Sequence, residues 1–481
     1  MDFIIVGGGP CGLTLAWLLA KCGKKCTLLE SAADIGGCHR VIRQDGKFSE
    51  HGPRVYSSTY KTVERMLKDM GVKFDDIFTP YKFKMGAIGS KTVSNMTMNE
   101  IFQLTSAYIG RMLGLDYTKT SMRDFTKNFT NKTIDYIDRL CVLTDGSKID
   151  TYSVDKFLQL VNQQVALHNL YQPRTPNDIG MFRIWKEQLV SLGVKIITNA
   201  KVVSLIADDT QIKGVKYVSN DGNNGNVNNK QLALYCDNVI LAIPPRPLYE
   251  LISKLRPQIP ILQKSWVENN SYIDYITIEY EWDKKIQLES IWGFPATSWG
   301  VAHIVLSDYF ENFPGTLISV GVTKVDSENS EGLTARNATK DQLKAEVLKQ
   351  LKESYPNIPD PDSIVVGSYI GQETAYVRNA SDPSFLPFEL GIKGLYNAGT
   401  QNGKSQYAYT SMESAVVNAH ALAHMIEPNS KRFQIINAWT LNGVLLVILL
   451  IIIIISSVYY YRKVQRVIGT KIPVRVTASN F

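Results

Sequence analysis

The chain has 481 residues, of which 44% are hydrophobic and six are cysteine. This length allows two or three domains with sizeable cores, and the composition excludes a disordered, collagen-like or disulfide-scaffold protein. The formal net charge is +7, but seven of the 52 basic residues and none of the 45 acidic residues lie at or beyond position 428. Residues 1–427 therefore carry 45 charges of each sign, and the basic excess beside an apolar run indicates a membrane partner and no nucleic acid.

The N-terminus predicts a nucleotide-binding turn between a strand and a helix. An apolar strand at residues 2–6 is followed by a G-x-G-x-x-G pattern and an apolar helix at residues 13–21. Gly7 allows the tight turn, Gly9 lets the backbone approach a pyrophosphate, and Gly12 lets the helix pack close to the strand. The start of the helix adds free N–H groups and the positive end of a dipole.

A second strand at residues 26–29 ends on Glu30. A carboxylate at this place can accept hydrogen bonds from ribose hydroxyls, and its charge argues against a 2′-phosphate. The strand, glycine turn, helix and acid together predict a dinucleotide site far more specifically than the glycines alone.

Gly36 and Gly37 follow shortly after the acid. An ordinary NAD dehydrogenase requires no Gly-Gly pair here, and the pattern resembles the FAD-binding start of the flavin amine oxidase and phytoene desaturase superfamily. In that superfamily the two glycines run beside the pyrophosphate. Many amine oxidases place a basic residue directly after the pair, but Cys38 stands there in this chain. The resemblance therefore assigns the neutralisation of the phosphates to Arg40.

The central part of the chain resembles the second FAD-binding segment of the same superfamily. Strands are predicted within residues 193–197, 202–205, 214–217 and 236–245, which form a hairpin and a buried strand. The resemblance implies that Val202 contacts the adenine side of FAD through its backbone. A generic hairpin sheet is the alternative interpretation.

A third segment, at residues 394–400, predicts a buried strand that ends in Ala-Gly-Thr, and a Tyr-Thr-Ser-Met-Glu sequence with a helix follows it. This resembles the way the superfamily closes over the flavin, where N–H groups at the helix start can stabilise negative charge on the reduced ring. The resemblance assigns Gly399, Thr400 and Met412 to the cofactor. Because Thr400 and Gln401 stand where an acid is often found, altered ribityl binding is expected.

The intervening segments predict a substrate domain of helices and strands without a recognisable catalytic motif. Five side chains could line a pocket there, although aromatic residues of such domains lie more often in the core: Trp292, Trp299, His303, Tyr376 and Tyr407. His39 and His51 are expected to be solvated loop side chains.

The C-terminal region predicts a transmembrane helix at residues 433–461, which contain no formal charge. At about 1.5 Å per residue, residues 438–458 span roughly 30 Å, the thickness of a bilayer core. Trp439 and residues 459–461 would form aromatic belts at its two edges. More basic residues follow the helix than precede it, which favours a translocated body. No signal peptide is recognisable, however, so we expect a cytosolic body and a basic tail at residues 462–481.

The predicted fold is α/β, with a Rossmann-like FAD-binding domain assembled from discontinuous segments, an inserted α+β substrate domain and a C-terminal transmembrane helix. The FAD-binding domain is expected to comprise residues 1–60, 190–250 and 386–427, and the substrate domain residues 61–189 and 251–385.

The resemblance implies an enzyme with non-covalent FAD, in which hydrogen passes from a substrate C–H bond to flavin N5 and oxygen or a membrane quinone reoxidises the flavin. The substrate would be a small apolar molecule or an amine, and no metal is expected. Two alternatives remain at this point: a non-redox flavoenzyme resembling UDP-galactopyranose mutase, and a flavin-free binding protein resembling the Rab GDP-dissociation inhibitors. The intact glycines and Glu30 speak against the second.

Overall fold

The computed structural model describes residues 2–83, 85–163, 168–219, 230–255, 262–269, 271–274, 276–369, 374–377, 384–407, 410–430 and 434–469. Two predicted features lie outside the described residues: Tyr409 and residues 470–481 of the basic tail.

Fourteen α-helices are found in the described part: α1 (Pro10–Lys21), α2 (Lys61–Asp69), α3 (Phe74–Ile77), α4 (Met85–Ser94), α5 (Met98–Met112), α6 (Met122–Phe125), α7 (Asn131–Asp145), α8 (Val154–Gln163), α9 (Met181–Ser191), α10 (Pro245–Ile252), α11 (Lys264–Asn269), α12 (Lys340–Lys352), α13 (Met412–Ile426) and α14 (Leu441–Gly469). Short 3₁₀ turns occur at Gly37–His39, Leu306–Asp308 and Thr400–Asn402.

The described residues form nineteen strands: β1 (Phe3–Val6), β2 (Cys26–Leu29), β3 (Val41–Gln44), β4 (Lys47–Glu50), β5 (Tyr56–Ser57), β6 (Phe78–Pro80), β7 (Leu170–Pro173), β8 (Lys195–Ile197), β9 (Ala200–Ala207), β10 (Ile212–Ser219), β11 (Lys230–Tyr235), β12 (Val239–Leu241), β13 (Ser271–Asp274), β14 (Thr277–Trp282), β15 (Val301–Val305), β16 (Thr316–Val322), β17 (Ser363–Ser368), β18 (Thr374–Val377) and β19 (Leu395–Asn397).

A five-stranded parallel sheet forms the centre of the nucleotide-binding half, in the order β19-β12-β1-β2-β8. Ile5 of β1 lies opposite Ile240 on one side and Leu28 on the other. All residues of β1, β2 and β12 are buried, as expected for parallel strands that are covered on both faces. The predicted Rossmann-like α/β domain, built from separated segments of sequence, is confirmed.

Two layers cover this sheet. On one face α1 packs against α13 and α9, in a core that includes Leu15, Trp185 and Val416. On the other face lie α10 and the antiparallel sheet β11-β10-β9, whose core includes Val215 and Leu248. The carboxyl ends of the parallel strands therefore open toward the rest of the chain, which is where ligands bind in open α/β sheets.

The other half combines a second sheet with a group of helices. The antiparallel sheet β15-β16-β14-β17 packs against α12, with Tyr280 and Trp299 fully buried between them. Helices α5, α7 and α8 surround a separate core that contains Tyr152 and Phe157. These two layers lie over the carboxyl edge of the parallel sheet and close a cavity with it.

Helix α14 is exposed over residues 445–463 and is joined to the body at its first turn. Within it, Leu441–Gln465 is the one segment of the described chain that is long and apolar enough to cross a membrane, with a mean hydropathy of 3.0. The side-chain oxygen of Asn442 accepts a hydrogen bond from the Tyr108 hydroxyl at 2.5 Å, and its backbone N–H donates to Asn162 Oδ1 at 2.9 Å. The start of the apolar helix is therefore fixed against α5 and α8.

Candidate functional site

A cavity of about 1390 Å³ runs between the two halves. Its first part, here called the dinucleotide end, is lined by the turn after β1, the end of β2, the start of β9 and the loop after β19. Its second part, here called the apolar end, is lined by residues of α5, α7 and α8 and by Leu441 and Leu445 of α14. The cavity exceeds the range of about 300–1,000 Å³ that is common for small-ligand sites, so it has room for more than one small molecule.

The glycine turn adopts a conformation that other residues could not adopt. Gly7 has a φ of +107°, and a Cβ atom there would lie 2.4 Å from the Ala242 carbonyl oxygen. A Cβ at Gly12 would lie 2.0 Å from the carbonyl oxygen of Gly7. Gly7 and Gly9 line the cavity, whereas Gly12 is buried between helix and strand, the packing role that its sequence position predicts.

Glu30 lies at the end of β2 and is 7% exposed. One carboxylate oxygen accepts a hydrogen bond from Gly8 N at 2.6 Å, and the other accepts from Ala32 N at 2.8 Å. These bonds fix the carboxylate against the glycine turn while the side chain still lines the cavity. Oε1 also accepts a hydrogen bond from Ser31 Oγ at 3.1 Å, whereas Oε2 accepts only the bond from Gly8 N and keeps a lone pair for a ligand hydroxyl.

The two glycines after Glu30 have different positions. Gly37 lines the cavity, and a Cβ there would lie 3.0 Å from the Cα atom of Gly9. Gly36 lies outside the cavity lining, with a φ of +125°, and its N–H donates to the Gly8 carbonyl at 2.8 Å. A Cβ at Gly36 would meet the Phe182 ring at 2.8 Å. Gly36 therefore supports the turn from behind, and Gly37 with Arg40 forms the surface that a pyrophosphate would meet.

The remaining predicted cofactor residues converge on the same cavity. Val202 lines it from β9, and Gly399 and Thr400 line it after β19. Met412 is the first residue of α13, whose N-cap Ser411 accepts a hydrogen bond from Ser414 N at 3.0 Å. Together with the residues of the N-terminal turn they come from three separated segments, and the structure brings them to one end of one cavity.

Glu413 connects this helix start to the neighbouring helix α2. Its carboxylate accepts hydrogen bonds from the backbone N–H groups of Thr62 at 2.8 Å and Val63 at 3.0 Å. Burial raises the pKa of Glu413 to about 7, against the opposing effect of these two bonds. The side chain therefore satisfies the free N–H groups at the start of α2, which holds α13 in place beside the cavity.

Of the two histidines expected to be solvated, His51 is buried and His39 is half-buried, so the expectation is wrong for His51. His39 and His51 line the middle of the cavity, and His51 is 2% exposed. Burial and then the charges of Arg54 and His51 hold the pKa of His39 well below its usual range. Arg54 Nη2 donates to the carbonyl of Cys38, and its buried Nε has no hydrogen-bond partner among the described residues. Arg54 was not among the residues that the sequence assigned to the site.

The five aromatic and histidine candidates divide between cavity and core. Trp292 and His303 line the cavity, and burial lowers the pKa of His303 to about 4. Trp299 is fully buried in the core of the second sheet, and Tyr407 packs in the core of the parallel sheet. The side chain of Tyr376 lies outside the described part of the chain.

The acidic residues of the cavity are restricted to one end. Among the described lining residues, Glu30 and Glu250 are the only carboxylates, and Glu250 belongs to α10 beside β9. The middle carries Arg54 and histidines, and the apolar end carries mainly aliphatic and aromatic side chains. The part of the cavity beyond the dinucleotide end therefore offers no negative charge to a ligand within the described residues.

The lining fits a flavin dinucleotide. Gly9 and Gly37 face each other so closely that side chains on them would crowd each other and the cavity wall. Glu30 stands at the end of the neighbouring strand, at the place where ribose hydroxyls are bound in dinucleotide folds. These are the groups that a phosphate-bearing adenine nucleotide requires.

Comparisons with known proteins agree with this geometry. A sequence model described as flavin containing amine oxidoreductase matches residues 158–424, more than half of the chain, and a model of an NAD(P)-binding Rossmann-like domain matches residues 5–70. An L-amino-acid oxidase of Sistrurus catenatus edwardsii is 31% identical over 75 residues, which are 16% of this chain and 14% of that protein. One of Naja atra is 33% identical over 79 residues, 16% of this chain and 15% of that protein. The matched region thus spans a small fraction of these relatives' length.

Solved structures resemble nearly the whole chain. Putrescine oxidase bound to putrescine aligns with a TM-score of 0.63 and 15% identity, covering 89% of this chain and 99% of that chain. Cyclohexylamine oxidase from Brevibacterium oxydans aligns with a TM-score of 0.60 and 14% identity, at the same coverage. At these identities the likeness establishes the fold.

Proposed function

The chain belongs to the family of flavin-containing amine oxidoreductases, and we propose that it is a membrane-anchored FAD-dependent oxidoreductase that oxidises a small apolar substrate or an apolar amine. The observation that carries this proposal is the continuity of one cavity, which has dinucleotide-binding groups at one end and an apolar lining at the other. Family membership does not favour a mutase or a flavin-free binding protein, the two alternatives left open by the sequence.

FAD is the cofactor that the family and the Rossmann-like domain imply. When bound, FAD supplies a two-electron acceptor whose N5 atom takes a hydride. In the proposal Glu30 holds ribose hydroxyls, the backbone at Gly9 and Gly37 approaches the pyrophosphate, and Arg40 balances its charge. Val202, Gly399, Thr400 and Met412 complete the binding surface, without a covalent link.

The chain's own residues would exclude water and hold protons beside the reacting carbon. His39 and His303 are neutral at pH 7, because burial lowers the pKa of both groups. A neutral imidazole can accept a hydrogen bond or a proton, whereas an imidazolium cannot. The middle of the cavity therefore supports a neutral substrate or an uncharged amine.

The absence of acidic residues beyond the dinucleotide end, within the described lining, also bears on the substrate class. A polyamine carries two or more positive charges at neutral pH, and burying such charges without carboxylate partners is costly. We therefore infer that this chain does not share the substrate named for its structural neighbour putrescine oxidase.

The membrane anchor is α14, which would cross the bilayer from Leu441 toward the tyrosines at 459–461. Trp439 is 66% exposed just before the helix and is placed to lie at the near interface. No disulfide joins the six cysteines within the described residues, which supports a reducing compartment and hence a cytosolic body.

The experiment that tests the proposal is an absorption spectrum of the purified chain in detergent, followed by anaerobic photoreduction and then admission of air. We expect a flavin spectrum that bleaches on photoreduction and returns in air. The rate of return in air is compared with the rate after anaerobic addition of a quinone, which shows whether oxygen or a quinone is the acceptor. A folded, colourless protein that cannot be loaded with FAD would refute the proposal.

A further inference from the structure

The outer face of α5 is an apolar stripe without a partner among the described residues. Six residues at helical spacing, here called the α5 stripe, lie within an arc of about 100° at 100° per residue: Met98, Phe102, Thr105, Ile109, Met112 and Leu113. Three of them are highly exposed, since Met98 is 80%, Phe102 70% and Leu113 81% exposed. Exposed apolar surface of this extent marks an interaction site.

The charges of α5 point away from the stripe. Glu100 is 2% exposed and accepts hydrogen bonds from the backbone N–H groups of Thr97 and Thr130. Arg111 pairs with Asp155 at 2.7 Å and with Gln159 at 2.6 Å. Both charged side chains of the helix are thus used inside the protein, and the stripe itself contains no charge that would resist burial in lipid.

The stripe lies next to the start of the apolar helix α14. Tyr108, one residue before Ile109 of the stripe, donates a hydrogen bond to Asn442 in the first turn of α14. On the other side of this contact, His168 Nε2 lies 3.0 Å from the carbonyl oxygen of Trp439. These contacts hold the start of α14 against the body, which keeps the stripe close to a membrane that α14 crosses.

The cavity reaches the surface at the same place. Four residues both line the cavity and are at least 40% exposed around this point: Ile109, Met112, Leu143 and Val161. Leu445, one turn into α14, also lines the cavity and is 40% exposed. The apolar end thus opens between the stripe and the first turns of α14.

We propose that the α5 stripe is a second membrane contact, which lies in the lipid interface beside α14 and makes the cavity open onto the acyl chains. The inference rests on the proposed anchoring by α14. Helices with an apolar face and no charge on it lie in the interface with that face buried about 5–10 Å deep. Molecules that enter by this opening come from the lipid phase, which restricts the substrate to lipid-soluble compounds.

The test uses the full chain in phosphatidylcholine vesicles that contain lipid-borne quenchers at shallow and at central depth. An environment-sensitive fluorophore is attached at Phe102→Cys, and the same label on the wild-type chain measures the background from native cysteines. Tyr235→Cys is the matched control, because Tyr235 of β11 is an aromatic residue with the same exposure of 70%. Leu449→Cys reports on α14, and Met112→Cys reports on the opening.

We expect quenching at Phe102, Met112 and Leu449 that is at least about twofold stronger than at Tyr235. If the probe at Leu449 is quenched but those at Phe102 and Met112 behave like the control, the stripe is not a membrane contact while the anchor stands. If the probe at Leu449 is not quenched, the anchoring itself is wrong. If an excess of unlabelled chain in the same vesicles protects the probe at Phe102 from the quencher, the stripe is a site of self-association and the inference is overturned.

Discussion

The carboxylate of Glu30 accepts a hydrogen bond of 2.6 Å from the backbone N–H of Gly8. This bond ties the end of β2 to the glycine turn after β1, so the acid and the turn form one rigid surface of the cavity. Any ligand that uses the acid for its ribose therefore has its phosphates directed to the turn.

Replacement of Glu30 should weaken FAD binding without unfolding the body. A hydrogen bond to a charged group contributes about 1.5–3 kcal/mol, so Glu30→Ala should raise the dissociation constant of FAD by about 10- to 100-fold. Glu30→Gln keeps an acceptor for Gly8 N, so its dissociation constant for FAD should lie between those of wild type and Glu30→Ala. The measurement is titration of the flavin-free chain with FAD, with Glu64→Ala on the exposed face of α2 as control. Equal affinities for Glu30→Ala and wild type would remove Glu30 from the site.

Gly12→Ala should destabilise the nucleotide-binding half. The added Cβ would lie 2.0 Å from the Gly7 carbonyl oxygen, so α1 would have to move away from β1. Overpacking of this kind costs about 1–3 kcal/mol. The matched control is Gly89→Ala in α4, where a Cβ meets nothing within 4 Å and helix propensity gains from alanine. Thermal unfolding should show a lower midpoint for Gly12→Ala alone, and equal midpoints for both variants would contradict the packing role.

The residues that the sequence predicted are those whose role is local. The glycine turn, Glu30 and the start of α13 each follow from a strand, a turn and a helix that are adjacent in the chain. Arg54 and His51 could not be found in this way, because their burial depends on contacts with distant strands. A Cβ at Gly321 of β16 would lie 3.4 Å from Pro53, and the backbone N–H of Glu50 meets Glu279 of β14.

The role of Gly36 could not be predicted from the sequence either, because it also depends on a contact with a distant residue. The sequence pattern assigned Gly36 and Gly37 equally to the pyrophosphate, but Gly36 packs against Phe182, a residue of α9 that is far away in the chain. For α5, the helical spacing of the apolar residues can be recognised in the sequence. Which side of the helix faces outward is set by Glu100 and Arg111 and by their partners on other elements.

A chain that ends at Glu427 should be soluble without detergent and should still bind FAD. The truncation removes α14, whereas every predicted cofactor residue lies before position 427. The α5 stripe would give only reversible binding to added vesicles, as interfacial helices do. High-speed sedimentation without lipid is therefore the measurement, with the full chain as reference. A truncated chain that still requires detergent would show that α14 is not what holds the protein in membranes.

The contribution of the buried carboxyl pair Glu50 and Glu279 to the stability of the folded chain should fall as the pH rises from about 4.5 to 7. The two residues are 7% and 1% exposed, and Glu50 N donates to Glu279 Oε1 at 3.3 Å. Burial raises the pKa of Glu50 from 4.5 to about 7. Burial, and then the charge of Glu50, raises the pKa of Glu279 well above its usual range.

The sign follows from proton binding. Between pH 4.5 and 7 the folded chain keeps protons on these carboxyls that the unfolded chain has released, so the pair stabilises the fold fully below pH 4.5 and loses this contribution as the pH rises. At about 1.4 kcal/mol per pKa unit, the shift of Glu50 alone corresponds to about 3 kcal/mol. Glu279→Gln keeps the shape and cannot ionise, so it removes the part of this proton binding that belongs to Glu279. The free energy of unfolding is measured by denaturant titration at several pH values for both proteins. As the pH rises from 4.5 to 7, wild type should lose stability relative to Glu279→Gln, and a difference that does not change with pH would show that Glu279 does not titrate in this way.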